Sequence, residues 1–190
     1  MPQMDAPVEV RVEEILGFLE RSATLDYIGE DVSQLEHALQ CAALAQREEA
    51  TAEQVIAALL HDLGHFCAPD DAAQMGGYGV ADHEEIGAQT LQQYGFSEVV
   101  QELVRGHVQA KRYLVTTQEG YASQVSHASQ ETLKRQGGGM TAEEVEAFEQ
   151  DPLFREKLRL RWWDDAGKVE ELVVPPLESY RPLLHAHLQS

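Results

Sequence analysis

TAEQVIAALLHDLGHF, residues 51–66, decides the fold class. Thr51 and Gln54 have the spacing of a capping box, which satisfies two orphan donors at a helix start. The run that follows, Val55 to Leu60, is apolar on nearly every side, so the spacing predicts a central, buried helix. It ends on His61-Asp62, two polar side chains where the chain is most hydrophobic, and Gly64 is expected to stop the helix. The same helical period recurs on both sides. Val12, Ile15, Leu16 and Leu19 mark one face of an earlier helix, and Leu35, Ala38, Leu39, Ala42 and Ala43 mark a second. Asp82 with Glu85 is expected to cap a fourth helix that Gly95 ends, and Ser97 to start a fifth carrying Val100, Leu103, Val104 and His107 on one stripe. Thr141 with Glu144 opens another, and Asp151-Pro152 is expected to cap and open the next. No segment has the alternation of a strand. The reading is all-α, a single domain over residues 1–190.

Composition narrows the function classes. Acids outnumber bases 33 to 14, a formal charge of −19 in 190 residues. That surface repels phosphate backbones and anionic lipids, so neither nucleic acid nor membrane is an expected partner. No apolar run nears the ~20 residues of a membrane span. The N-terminus shows no signal peptide, and two cysteines, Cys41 and Cys67, make no disulfide scaffold; a reducing cytoplasm is the expected location.

The chemistry lies in the histidines. Five of the eight, His37, His61, His65, His83 and His107, fall on or beside apolar helical stretches. A buried imidazole or carboxylate left alone costs several kcal/mol, so such a group must be paired or bound to metal. Imidazole and carboxylate without thiolate suit iron, manganese or zinc. A carboxylate flanked by histidines from several helices can bridge two ions. Lys111 follows His107 by four, on the same face of a continuing helix. A lysine beside a metal site calls for an anionic ligand, which argues for an anionic substrate.

The pattern His37…His61-Asp62…His83…His107…Asp164 resembles the HD-domain superfamily, and more closely its di-iron oxygenase branch of PhnZ/TmpB-like organophosphonate oxygenases. The segments that carry the likeness are LDYIGEDVSQLEHALQCA (25–42), ALLHDLGHF (58–66), MGGYGVADHEEIGA (75–88), GHVQAKRYLV (106–115), SHASQETL (126–133) and RWWDDAGK (161–168). They span about residues 20–188. The resemblance implies that His37, His61, Asp62 and Asp164 hold one iron, with Asp62 bridging to a second that His83 and His107 complete. The bare sequence leaves Asp164 and Asp165 equal; the likeness selects Asp164. It implies that Tyr27 occupies an iron until substrate displaces it, that Glu30 meets the substrate's amino group, and that Lys111 holds the phosphonate. His65, Ser129, Thr132 and Arg161 match further phosphonate contacts, although Arg161 has the alternative of pairing an acid. The activity implied is an Fe(II)/Fe(III) oxygenase that uses O2 and no organic cofactor and turns a small 1-hydroxyphosphonate into a carboxylate and phosphate. A trimethylammonium head group is expected over a primary amine, with Tyr27, Tyr78 and Phe66 as aromatic walls and Ala81 leaving room. The rival reading is a metal-dependent HD phosphohydrolase.

Overall fold

The computed structural model describes residues 3–27 and 31–190. Its α-helices are α1 Val8–Ser22, α2 Gln34–Arg47, α3 Ala52–Leu60, α4 Gly64–Cys67, α5 His83–Gln93, α6 Glu98–Thr117, α7 Tyr121–Gln124, α8 His127–Arg135, α9 Ala142–Glu149, α10 Phe154–Ala166 and α11 Arg181–Gln189. Among the described residues β-pairing is confined to two isolated bridges, Asp26 with Ser33 and Gln74 with Val80. The all-α reading stands. Among the described residues no helix is long and apolar enough to cross a membrane.

Local chemistry sets the helix starts. Ser33 with Glu36, Thr51 with Gln54 and Thr141 with Glu144 each form a reciprocal capping box. Ser97 and Ser126 cap α6 and α8 with their hydroxyls. Helix α3 is the hub: Ile56, Ala57, Ala58 and Leu60 are fully buried among Ile15 and Leu19 of α1, Ala42 of α2, Val104 of α6 and Leu184 of α11. A helix that is apolar all round is satisfied only by such encirclement. Its C-terminal end therefore delivers His61 and Asp62 into the interior.

Two expected boundaries move, and one expected cap holds its position without its side-chain bond. Helix α3 ends at Leu60, and Gly64 opens α4 instead of stopping α3. The reason is close approach: a Cβ on Gly64 would stand 1.9 Å from the His83 carbonyl oxygen and 2.9 Å from the Gly87 nitrogen. Asp82 does not cap α5; it sits at φ 55 without a side-chain cap bond, and Glu85 pairs with Arg105 instead of closing a box. Asp151 does not cap α10, which starts at Phe154. Its carboxylate accepts from the Leu153 amide at 2.7 Å and from the buried Lys157 ammonium at 2.6 Å.

The contact of α4 with α5 fixes where His83 enters the interior. Gly64→Ala is expected to cost about 3 kcal/mol through overpacking against backbone, about 6–12 °C in Tm for a chain of this size. Gly87→Ala, whose nearest new contacts are 3.2 and 3.4 Å, should cost far less. Thermal unfolding of the two variants decides the point; equal losses would show that α5 recedes freely.

Candidate metal centre

Six side chains from five segments meet in one buried space. His37 comes from α2, His61 and Asp62 from the turn after α3, His83 from the start of α5, His107 from the middle of α6 and Asp164 from α10. All are 7% exposed or less. The two oxygens of Asp62 face different partners. Oδ2 lies 3.3 Å from His61 Nε2 and 3.7 Å from His37 Nε2, while Oδ1 lies 3.4 Å from His83 Nε2 and 3.7 Å from His107 Nε2. Asp164 Oδ1 joins the first group, 3.4 Å from His37 Nε2 and 3.9 Å from His61 Nε2. The donors thus divide into two sets that share Asp62.

Tautomers make the sets competent. Nδ1 of His37 faces the Gly167 carbonyl at 2.8 Å, that of His61 the Ala58 carbonyl at 3.0 Å, and that of His107 the Val104 carbonyl at 2.7 Å. A carbonyl only accepts, so each Nδ1 carries the proton and each Nε2 presents a lone pair. His83 Nδ1 has the Glu84 carboxylate 3.4 Å away. Yet the bare Nε2 atoms confront each other, His37 to His61 at 3.2 Å and His83 to His107 at 3.1 Å. Facing lone pairs at that distance repel unless positive charge lies between them. Burial lowers the His61 imidazole, but the Asp62 carboxylate more than offsets it and raises it to about 9. The site therefore attracts a cation. Metal–ligand bonds of about 2.1 Å place donors about 3.0 Å apart at right angles and about 3.4 Å apart at the tetrahedral angle. The donor spacing fits metal ions.

Two neighbours also come within metal-like distance, Cys41 near His37 and His61, and His65 near Asp62 and His83. Neither has a free lone pair directed inward. Cys41 Sγ is 3.8 and 3.7 Å from the two nitrogens of His37, beside the ring instead of along a lone pair, and its thiol donates to the Trp163 carbonyl. Burial and the Asp164 carboxylate push that thiol well up. His65 Nδ1 accepts from the Val80 amide at 3.1 Å, so its proton is on Nε2. Its ring stacks on His83, and burial with His83 holds it at about 3, neutral at pH 7. His65 is a donor, not a ligand.

A cavity opens beside the donors, lined by Asp62, His83, His107 and Asp164 and by Lys111, Ser129 and Thr132. Lys111 is 4% exposed and donates to Thr132 Oγ1 at 3.0 Å. Burial and then Arg161 lower its ammonium to about 7. Arg161 lines the cavity too, but its guanidinium is committed: it donates to Asp164 Oδ2 at 2.6 Å and to Asp165. Asp165 points away from the histidines, to Arg161 and the Tyr121 hydroxyl. Tyr27 lines the cavity with its hydroxyl 3.5 Å from Asp164 Oδ1 and its ring 4.1 Å from that of His37. Burial, Asp164 and Asp62 hold its phenol well up. Tyr78 also lines the cavity, whereas Phe66 packs against the core and Ala81 lines an adjoining groove that shares Met75 and Gln136 with the cavity. Glu30 lies outside the described residues. The sequence reading missed Lys168, whose ammonium is 4.0 Å from Asp164 Oδ1, and Gln40, whose amide binds Val169. Spacing offered the signal, since Lys168 follows Asp164 by four and Gln40 follows His37 by three.

Comparison with known proteins agrees with this geometry. The HD domain matches over residues 35–147. A hydroxymethylphosphonate dioxygenase of Gimesia maris is 43% identical over 165 residues, 86% of this chain and 81% of its own. A 1-hydroxy-2-(trimethylamino)ethylphosphonate dioxygenase (glycine-betaine-forming) of Leisingera caerulea is 39% identical over 173 residues, 91% of this chain and 88% of its own. The His61-Asp62 doublet at the end of a buried helix, and likeness over nearly the whole length, place the chain in the HD-domain family, in the branch that holds the phosphonate dioxygenases.

Proposed function

We propose that the chain is an O2-dependent oxygenase that cleaves the C–P bond of a 1-hydroxyphosphonate, with one O2 consumed per carboxylate and phosphate formed. The observation that carries this reading is Asp62, which turns one oxygen to each of two imidazole pairs beside a buried lysine. The names of two relatives support the substrate class. His37, His61, Asp62 and Asp164 would hold one iron, and Asp62, His83 and His107 the other. As an Fe(II)/Fe(III) pair the ions would supply Lewis acidity toward substrate oxygens and one-electron redox steps, while the four electrons that reduce O2 come from the substrate itself.

The chain's own residues bind and orient. The Lys111 ammonium, the Thr132 hydroxyl it already touches and the Ser129 hydroxyl form the phosphonate subsite, by charge-assisted hydrogen bonds. His65, with its proton on Nε2, adds a neutral donor. Arg161 acts through Asp164, fixing the oxygen that faces away from the imidazoles. Tyr27 fills the space against Asp164 and His37, and substrate displaces it there. Glu30 is assigned to the cationic end of the substrate. A trimethylammonium head group keeps the support of Tyr27 and Tyr78 and loses that of Phe66 and Ala81.

Iron-loaded protein given a 1-hydroxyphosphonate should release phosphate with matching O2 uptake. Phosphate release that continues under nitrogen would transfer the chain to the hydrolases. Among substrates, the trimethylammonium compound should show a higher kcat/KM than the primary amine or hydroxymethylphosphonate; a different order would sink the head-group reading and leave the oxygenase intact.

Lys111→Met keeps the stem and deletes the charge, so kcat/KM should fall about 30–150-fold, roughly 2–3 kcal/mol. The wild-type profile carries its own sign. Lys111 binds an anion only as ammonium, and burial lowers it to about 7, so kcat/KM should hold below that pH and decline above it. The alkaline limb should be missing from the Met variant. A Met variant with wild-type constants would remove Lys111 from the site.

A further inference from the structure

Three consecutive residues after α10 form a strap across α2, and each makes contacts that bear on the centre. The Gly167 carbonyl accepts the His37 Nδ1 proton at 2.8 Å. Val169 is held through both backbone groups by one side chain: Gln40 Nε2 donates to its carbonyl at 2.8 Å, and its amide donates to Gln40 Oε1 at 2.9 Å. Gln40 is 2% exposed, three residues beyond His37 on the same helix. Position 167 must be glycine for the strap to lie this close, since a Cβ there would stand 2.6 Å from Cys41 Sγ. Between these anchors, Lys168 is turned inward. Its side chain is 10% exposed, and its ammonium lies 5.3 Å from the centre of the Tyr27 ring and 4.0 Å from Asp164 Oδ1.

We propose that Lys168 is a positioning residue that holds the Tyr27 ring over the metal centre, and that Gln40 fixes the strap that carries it. Lys168 is not among the residues that line the cavity, so it bears on a bound molecule through the two lining residues it contacts, Tyr27 and Asp164. Its contact with Asp164 is long, whereas Arg161 takes the other carboxylate oxygen at 2.6 Å. The aromatic face, 5.3 Å from the ammonium, is thus the second partner, and one whose placement the charge controls by cation–π attraction. The ring in turn lies 4.1 Å from the His37 ring and its hydroxyl 3.5 Å from Asp164, so cation, ring and donor set form one stack. The inference deepens the proposed function, resting on its reading of Tyr27 as the residue substrate displaces. It fixes a sign: a latch on an obstructing ring opposes binding, whereas a direct contact with the anion favours it.

Two measurements test it. Hydroxyl-radical footprinting of substrate-free protein reads access to Tyr27 without any ligand; Lys168→Met and Gln40→Ala should each raise labelling of Tyr27 severalfold, and Lys168→Arg should keep it near wild type. Unchanged labelling in Lys168→Met overturns the latch. The second is the Kd of hydroxymethylphosphonate, which has no head group, for metal-loaded protein under nitrogen. Lys168→Met should tighten binding about 3–10-fold, and the gain should vanish in a Tyr27→Ala background. Weaker binding, or the same gain without Tyr27, overturns the proposal. If wild-type protein shows no binding, the phosphonate reading of the site fails, and footprinting still decides the latch.

Discussion

Four imidazole lone pairs and two carboxylates crowd into one buried space, and only positive charge between them makes that arrangement tolerable. Backbone carbonyls create the constraint by fixing the protons of His37, His61 and His107 on the outer nitrogens. Two of those carbonyls, from Ala58 and Val104, lie three residues before the histidine they serve. The helix that presents each ring also sets its tautomer. The third comes from Gly167, across the fold, so the α10 strap must be in place before His37 is correctly prepared.

Cationic residues around the donors divide their work. Arg161 is spent inside the protein on the Asp164 and Asp165 carboxylates and on the Tyr121 and Ser129 hydroxyls, whereas Lys111 donates to the Thr132 hydroxyl. A guanidinium suits the first task because its planar fork engages two carboxylates at once. An ammonium suits the second, since a compact point charge with three donors can keep Thr132 and still reach an anion. The acidic exterior and this cationic interior do not conflict: long-range attraction is weak at ordinary ionic strength, and recognition is left to groups within a few ångströms.

What the sequence disclosed follows from the range of the interactions. The helices α1, α2 and α3 and the Thr51–Gln54 capping box of α3 were legible because period and caps are local. So was the convergence of the histidines on buried stripes. Gly64 was misread because its reason lies on α5, in the approach of the His83 carbonyl, which no local rule reports. Asp151 looked like a cap but is taken by Lys157, a partner six residues away whose burial depends on α6. Asp164 and Asp165 were equal as neighbours in sequence, and only the rotation of α10 separates a residue facing His37 from one facing Tyr121. Lys168 and Gln40 were at telling distances from Asp164 and His37, yet a lysine and a glutamine carry no signature until the chain folds back upon itself.

The centre also acts as a fastener. The contact between His37 and Gly167 joins points 130 residues apart along the chain, and an ion shared by α2, the α3 turn and α10 would tie the same points. An unfolded chain offers no such convergence of donors, so the ion binds the folded form almost exclusively and adds stability that grows with the logarithm of its free concentration. With such an ion, the lifetime of the folded chain would be tied to metal supply. Scarcity of the metal would shorten survival of the fold as well as silence the site, so that the population of folded protein would track the supply of the element.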